Sequence, residues 1–200
     1  MTAFPIDVID ELAGVAPGSA LDTLRRRRPV TRDQAQESFA ALFVPRDDSE
    51  LPLADRLLIA AFATRLTGDD ATAAFYAAHA AQADPERAEV VADAAAQAIA
   101  PGPFGRYREP GLQAESTEGL RWRASAEQRA AVGDRLTAAL EHAHLLVLRP
   151  READAAALAA LTDADWSVDA VVTLSQLVAF LAFQQRVVTG LQTIAEEAAA

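Results

Sequence analysis

Along most of the chain, apolar residues recur three and four positions apart, and runs that alternate apolar with polar residues between turn signals are nearly absent. The pattern predicts an all-α protein. Helices are expected over about Ile6–Val15, Ala20–Arg27, Arg32–Phe43, Leu53–Thr67, Asp70–Ala83 and Pro85–Ile99. Residues 101–123 hold Gly102, Gly105, Gly111 and Gly119 together with Pro101, Pro103 and Pro110, a density that disfavours helix. Helix resumes over Ala126–Leu148, and Pro150 and Ser167 open the last two helices. In the final one, Val168 to about Glu197, the residues Val171, Leu174, Val178, Leu181 and Gln185 fall near one stripe. Leu177, Phe180 and Val188 lie beside it, so a broad buried face is expected. The whole reads as one all-α domain over 1–200, with a helical half 1–100, a Gly/Pro-rich loop 101–124 and a helical half 125–200.

Start signals sharpen several boundaries. Thr31 with Gln34 and Ser125 with Gln128 have capping-box spacing, in which two side chains satisfy free amides of the first turn. Pro150 fits the first position of a helix, where its missing N–H costs nothing, and Glu152 and Asp154 suit the positive end of the helix dipole. The run Arg25–Arg28 closes a helix where cations complement that dipole, and a dipole and surface role is preferred to an anion grip.

Composition removes several chemistries. All 18 basic residues are arginine, and lysine and cysteine are absent. Lysine Schiff-base catalysis, disulfides, thiolate zinc sites and cysteine nucleophiles are therefore excluded. A formal charge of −11 argues against a nucleic-acid partner. His142 and His144 sit two apart on a helix and so point in different directions, which predicts structural or exposed side chains and no shared metal. No metal or cofactor motif is present. The start Met1–Asp7 lacks a basic, apolar leader, and the longest uninterrupted apolar runs fall far short of the roughly 20 residues that cross a bilayer. Cytoplasmic residence without a membrane span is expected.

The segment Thr72–His79 has the most informative spacing. Offsets of three, four and seven share a helix face, so Thr72, Phe75, Tyr76 and His79 form one stripe. Asp55 lies 13 residues before Gly68 and His79 lies 11 after it. At about 1.5 Å rise per residue, two helices folding back near Gly68 would bring both to similar height. A carboxylate on one imidazole nitrogen would free the other for proton transfer, and Tyr76 could donate to a substrate oxygen. In the loop, Arg106 and Arg108 stand among aromatics, as do Arg121 and Arg123. An arm packing on a neighbouring subunit is the preferred reading, and carboxylate recognition by Arg106 or Arg108 the second.

The stretch Leu174–Leu191, above all Arg186 and Gly190-Leu191, resembles the closing helix of the carboxymuconolactone decarboxylase and alkylhydroperoxidase D-like family. The run Leu51–Ala61, followed by Gly68 and His79, is similar to that family's acid-bearing and redox helices. The resemblance implies an alkylhydroperoxidase D-like helical bundle, with two related halves as one form of it, that assembles as a homo-oligomer. It further implies a histidine at His79, an acid at Asp55, and thiols at Thr72 and Phe75. Neither of the last two can form a sulfenate or disulfide, so thiol peroxidase activity is not expected. Two functions remain open: a redox-inactive binding or assembly protein, and an acid-base enzyme acting through His79 on a small carboxylate or lactone.

Overall fold

Aspartate and serine caps fix where most helices begin, and a computed structural model, describing residues 4–68 and 70–199, shows them in place. Among the described residues there are ten α-helices, and the only strand-like feature is a single bridge between Gly105 and Thr117. Met1–Ala3, which began the leaderless reading, and Asp69 lie outside the described residues. The Asp7 carboxylate accepts from the Asp10 amide at 2.9 Å and starts α1 (Val8–Ala13). Ser19 opens α2 (Ala20–Arg26). Asp70 accepts from the Ala73 amide at 2.8 Å to start α5 (Ala71–Ala83), and Asp84 caps α6 (Pro85–Ala98). The Ser125–Gln128 capping box forms and starts α7 (Ala126–Val132). Ser167 accepts from the Ala170 amide at 3.1 Å beneath α10 (Val168–Ala199).

Beyond one- and two-residue differences at helix ends, three expectations shift, each for a local reason. Helix α3 (Pro29–Phe43) starts at a proline rather than at Arg32, so Thr31 and Gln34 lie inside it and form no capping box. The span Ala126–Leu148 is two helices, because Gly133 at φ 84° breaks the ladder before α8 (Asp134–Leu148). Pro150 opens only a 3-10 turn, Pro150–Glu152, and Asp154 caps the true helix α9 (Ala155–Thr162).

Helix α4 (Leu53–Arg65) is apolar nearly all round and is accordingly central. It packs against α5, α6, α8 and α10, so both halves of the sequence share one core. Its one buried cation, Arg56, donates to the Leu51 and Leu42 carbonyls at 2.7 and 2.8 Å and so ties down the loop before it. Helix α10 buries Leu174, Leu177, Val178, Leu181 and Val188, the face the spacing predicts. By length and composition α10 is also the one helix among the described residues able to cross a bilayer, and 44% of its most apolar window is buried in this bundle.

The arginines at the end of α2 and the start of α3 are built into the N-terminal corner. Arg25 pairs with Asp7 at 2.9 Å and with Asp10, and Arg32 reaches the same two carboxylates at 2.7 Å each. Arg26 pairs with Asp22 within α2 at 2.8 Å. Charge complementarity between α1 and the α2–α3 corner, more than a dipole effect, places these side chains.

Residues 101–123 form an arm that packs onto its own chain. The Phe104 amide donates to the Leu148 carbonyl at 2.6 Å. Arg149, 2% exposed at the end of α8, donates to Glu152 at 2.6 and 2.7 Å and to the arm's Gly119 carbonyl at 2.9 Å. Arg121 of the arm holds the same carboxylate at 2.5 and 2.8 Å. Beyond this clamp Trp122 enters the core against Phe62, ring centroids 5.0 Å apart.

Candidate functional site

The stripe Thr72, Phe75, Tyr76, His79 runs down α5 as the helical spacing requires, but it faces inward. Thr72 and Tyr76 have no exposed surface, while Phe75 and His79 are half-buried. The Tyr76 hydroxyl donates to Gln184 Oε1 of α10 at 2.8 Å, and burial pushes its phenol well above the usual range. It is a neutral core tyrosine whose hydroxyl is already engaged, not a donor held out to a substrate. The Thr72 hydroxyl has no hydrogen-bond partner among the described residues.

His79 sits at the edge of an aromatic cluster. Its ring stacks on Phe4, centroids 5.1 Å apart and planes 12° from parallel, and lies 4.1 Å from Phe75. Its Nδ1 donates to the Phe75 carbonyl, one turn earlier, at 2.8 Å. Because a carbonyl can only accept, this bond places the proton of the neutral ring on Nδ1 and leaves the lone pair on Nε2. No hydrogen bond joins Nε2 to a described residue.

Asp55 does not complete a relay with this ring. Its carboxylate accepts from Arg87 of α6 at 2.8 Å, and Arg87 is in turn held by Asp84, the α6 cap, at 2.7 Å. Asp55 is thus engaged by α6 and not by α5. Arg87 carries a raised pKa in spite of partial burial, because both carboxylates favour its charged form. The three residues link the helices and hold no free proton carrier.

The two loop arginines are exposed. Arg106 pairs with Glu118 at 3.2 Å, with both side chains largely in solvent, and Arg108 reaches the Ala153 carbonyl at 3.3 Å. Neither lines the cleft between the arm and α8.

That cleft, of about 730 Å³, lies between the arm, α7, α8 and α9. Its lining includes Trp122, His142, His144 and Arg149, all at most 6% exposed, with Arg121, Arg123, Glu141 and Glu152 above them. Burial, reinforced by Arg149 and Arg123, pushes His144 down to about 4, and burial alone lowers His142. Both rings are uncharged at neutral pH. The Arg149 hydrogen bonds hold Glu152 down to about 2 against its partial burial, so that carboxylate stays ionised. Of the two alternatives expected for His142 and His144, structural or exposed, their burial leaves the first. Sequence reasoning missed that Trp122, 22 residues before His144, folds back beside it, with ring centroids 6.2 Å apart. No short-range spacing carries that signal.

No family model, no curated protein and no solved structure matches this chain.

Proposed function

We propose that this chain is a thiol-free protein of the carboxymuconolactone decarboxylase and alkylhydroperoxidase D-like kind, one that acts as a noncatalytic, self-associating helical scaffold. The observation that carries the reading is the make-up of α5. Where that resemblance calls for two thiols stand Thr72, sealed in the core, and Phe75, whose ring and carbonyl hold His79. Asp55, the acid of the resemblance, is engaged with Arg87. Peroxide reduction of this type needs a thiolate and a relay, and here both positions serve packing.

Self-association draws support from α10. Val172, Phe183 and Ile194 are 50%, 41% and 45% exposed and recur every 11 residues. That period, close to three turns, aligns them along about 33 Å of one face. A row of exposed apolar side chains is the kind of surface that a second copy covers.

A second reading, acid-base turnover of a small carboxylate or lactone, is favoured by one feature: the His79 Nε2 lone pair without a partner among the described residues. One experiment separates the two. Wild type and His79→Gln are incubated with cumene hydroperoxide plus dithiothreitol, and separately with small lactones and aromatic carboxylates. The scaffold reading expects no turnover above buffer in either protein. Hydroperoxide consumption by wild type would overturn it, and lactone or carboxylate turnover lost in His79→Gln would establish the second reading.

A further inference from the structure

Charge is divided unevenly between the two sides of the cleft beneath the arm. Arg121 and Arg123 of the arm, Arg129 of α7 and Arg149 at the end of α8 line it, and the carboxylates that reach them are Glu141, Glu152 and Asp134. Four guanidiniums thus share three carboxylates, and Glu141 and Glu152 are each held by two arginines. This side keeps an excess of positive charge. The α9 side has the opposite excess. Asp154, Asp163 and Asp165 line it, and among the described residues none of them forms an ion pair. Asp154 has some relief as the cap of α9, where it accepts from the Ala157 amide at 2.9 Å. Asp163 and Asp165 have none, because they follow the C-terminal end of α9, where the helix dipole is itself negative. The fifth lining arginine, Arg135, lies 4.5 Å from the Trp166 ring centre and donates to the Glu50 carbonyl at 2.5 Å. His142 and His144, uncharged at neutral pH, alter neither excess.

An excess of each sign within one cleft selects for a molecule that carries both. A simple anion would gain the arginines but meet the aspartates, and a simple cation would do the reverse, so like charge penalises each. A zwitterion answers both excesses at once. Its carboxylate accepts from guanidinium N–H groups and its ammonium donates to Asp163 and Asp165. The two charges must be set apart, because the arginines stand on the arm, α7 and the end of α8, and the aspartates at the end of α9. The remaining lining includes Ala138, Leu145, Ala156 and Ala160, which suits a small apolar stretch between the charged ends. A volume of about 730 Å³ is that of a small-molecule site, not of a single ion.

We propose that this cleft binds a small zwitterion whose carboxylate and ammonium lie at opposite ends, of the class of a short peptide of small residues. The site shares no residue with the His79 cluster and stands whichever reading of that cluster holds.

Three forms of one peptide test it: trialanine is zwitterionic, N-acetyl-trialanine anionic and trialanine amide cationic. Binding is read by chemical-shift titration of protein labelled with nitrogen-15, at low salt and at a pH of about 6.5, where the peptide amine is protonated. Trialanine is expected to shift cleft resonances saturably, and each capped form to bind at least fivefold more weakly. Two variants address the two ends separately. Asp163→Asn should weaken trialanine and its amide at least threefold without weakening the N-acetyl form. Arg123→Gln should weaken trialanine and the N-acetyl form at least threefold without weakening the amide. Both side chains are exposed, so both variants should fold as the wild type does. No saturable shift with trialanine, a capped form that binds as tightly, or a variant that weakens both capped forms alike would overturn the proposal.

Discussion

Phe43→Ala should lower the unfolding free energy by about 4 kcal/mol, within the roughly 3–5 kcal/mol that large-to-small replacement of a buried aromatic costs. Phe43 closes α3 and has no exposed surface. Its ring centroid lies 5.0 Å from Phe39, 5.1 Å from Tyr76 and 6.2 Å from Phe4. Three separate segments, the N-terminal stretch, α3 and α5, therefore meet on this one ring. Truncation removes transfer energy and also leaves a hole that rings held by three segments cannot easily fill. Domains of this size are stable by only about 5–15 kcal/mol, so the loss is a large fraction of the total. Urea unfolding with an unchanged denaturant slope would measure it. A loss below about 1 kcal/mol would mean that the cluster repacks and that α5 is not held as described.

Arg149→Met comes second, with an expected loss of about 3 kcal/mol, the lower end of what breaking a buried ion pair from one side costs. Methionine fills much of the volume but supplies none of the donors to Glu152 and the Gly119 carbonyl. Glu152 keeps Arg121, which is 63% exposed and a weaker holder. The arm should therefore loosen before the bundle does. Trypsin reports this directly, since the chain has no lysine and the arm carries Arg106, Arg108, Arg121 and Arg123. Faster cleavage there at unchanged far-ultraviolet circular dichroism is expected, and wild-type resistance in the variant would show that the clamp is dispensable. In the wild type the Glu152 carboxylate titrates at about 2, below its ordinary value of 4.5. The tie is thus at full strength above pH 4.5 and is lost as pH falls toward 2.

The helices were legible because their signals are local. A cap such as Asp70 or Ser125 acts within one turn, and the α10 stripe needs only the helical period. The misplaced boundaries were local conflicts in which a stronger feature won: Pro29 over Thr31, Asp154 over Pro150, and Gly133 over the apolar pattern that runs through it. The arm could be read as non-helical from its glycines and prolines, but its destination depends on Arg149 meeting Gly119 across 30 residues. The stripe from Thr72 to His79 was visible from spacing, whereas its inward direction follows from α10 supplying Gln184 to Tyr76. Asp55 illustrates the same point. Rise per residue fixes its height on α4, but rotation about the helix axis and the presence of Arg87 on α6 decide its partner.

The central claim is that α5 uses its histidine for packing, with Nδ1 tied to the Phe75 carbonyl and Asp55 committed elsewhere. The most direct test is a long-range proton–nitrogen correlation spectrum of the His79 imidazole at pH 8.5, recorded for wild type and for Asp55→Asn. The account predicts the tautomer with the proton on Nδ1, the less common form of free histidine, and the same pattern in both proteins. A ring protonated on Nε2, or a tautomer that switches when Asp55 is neutralised, would contradict it and put the acid and the histidine back into one relay.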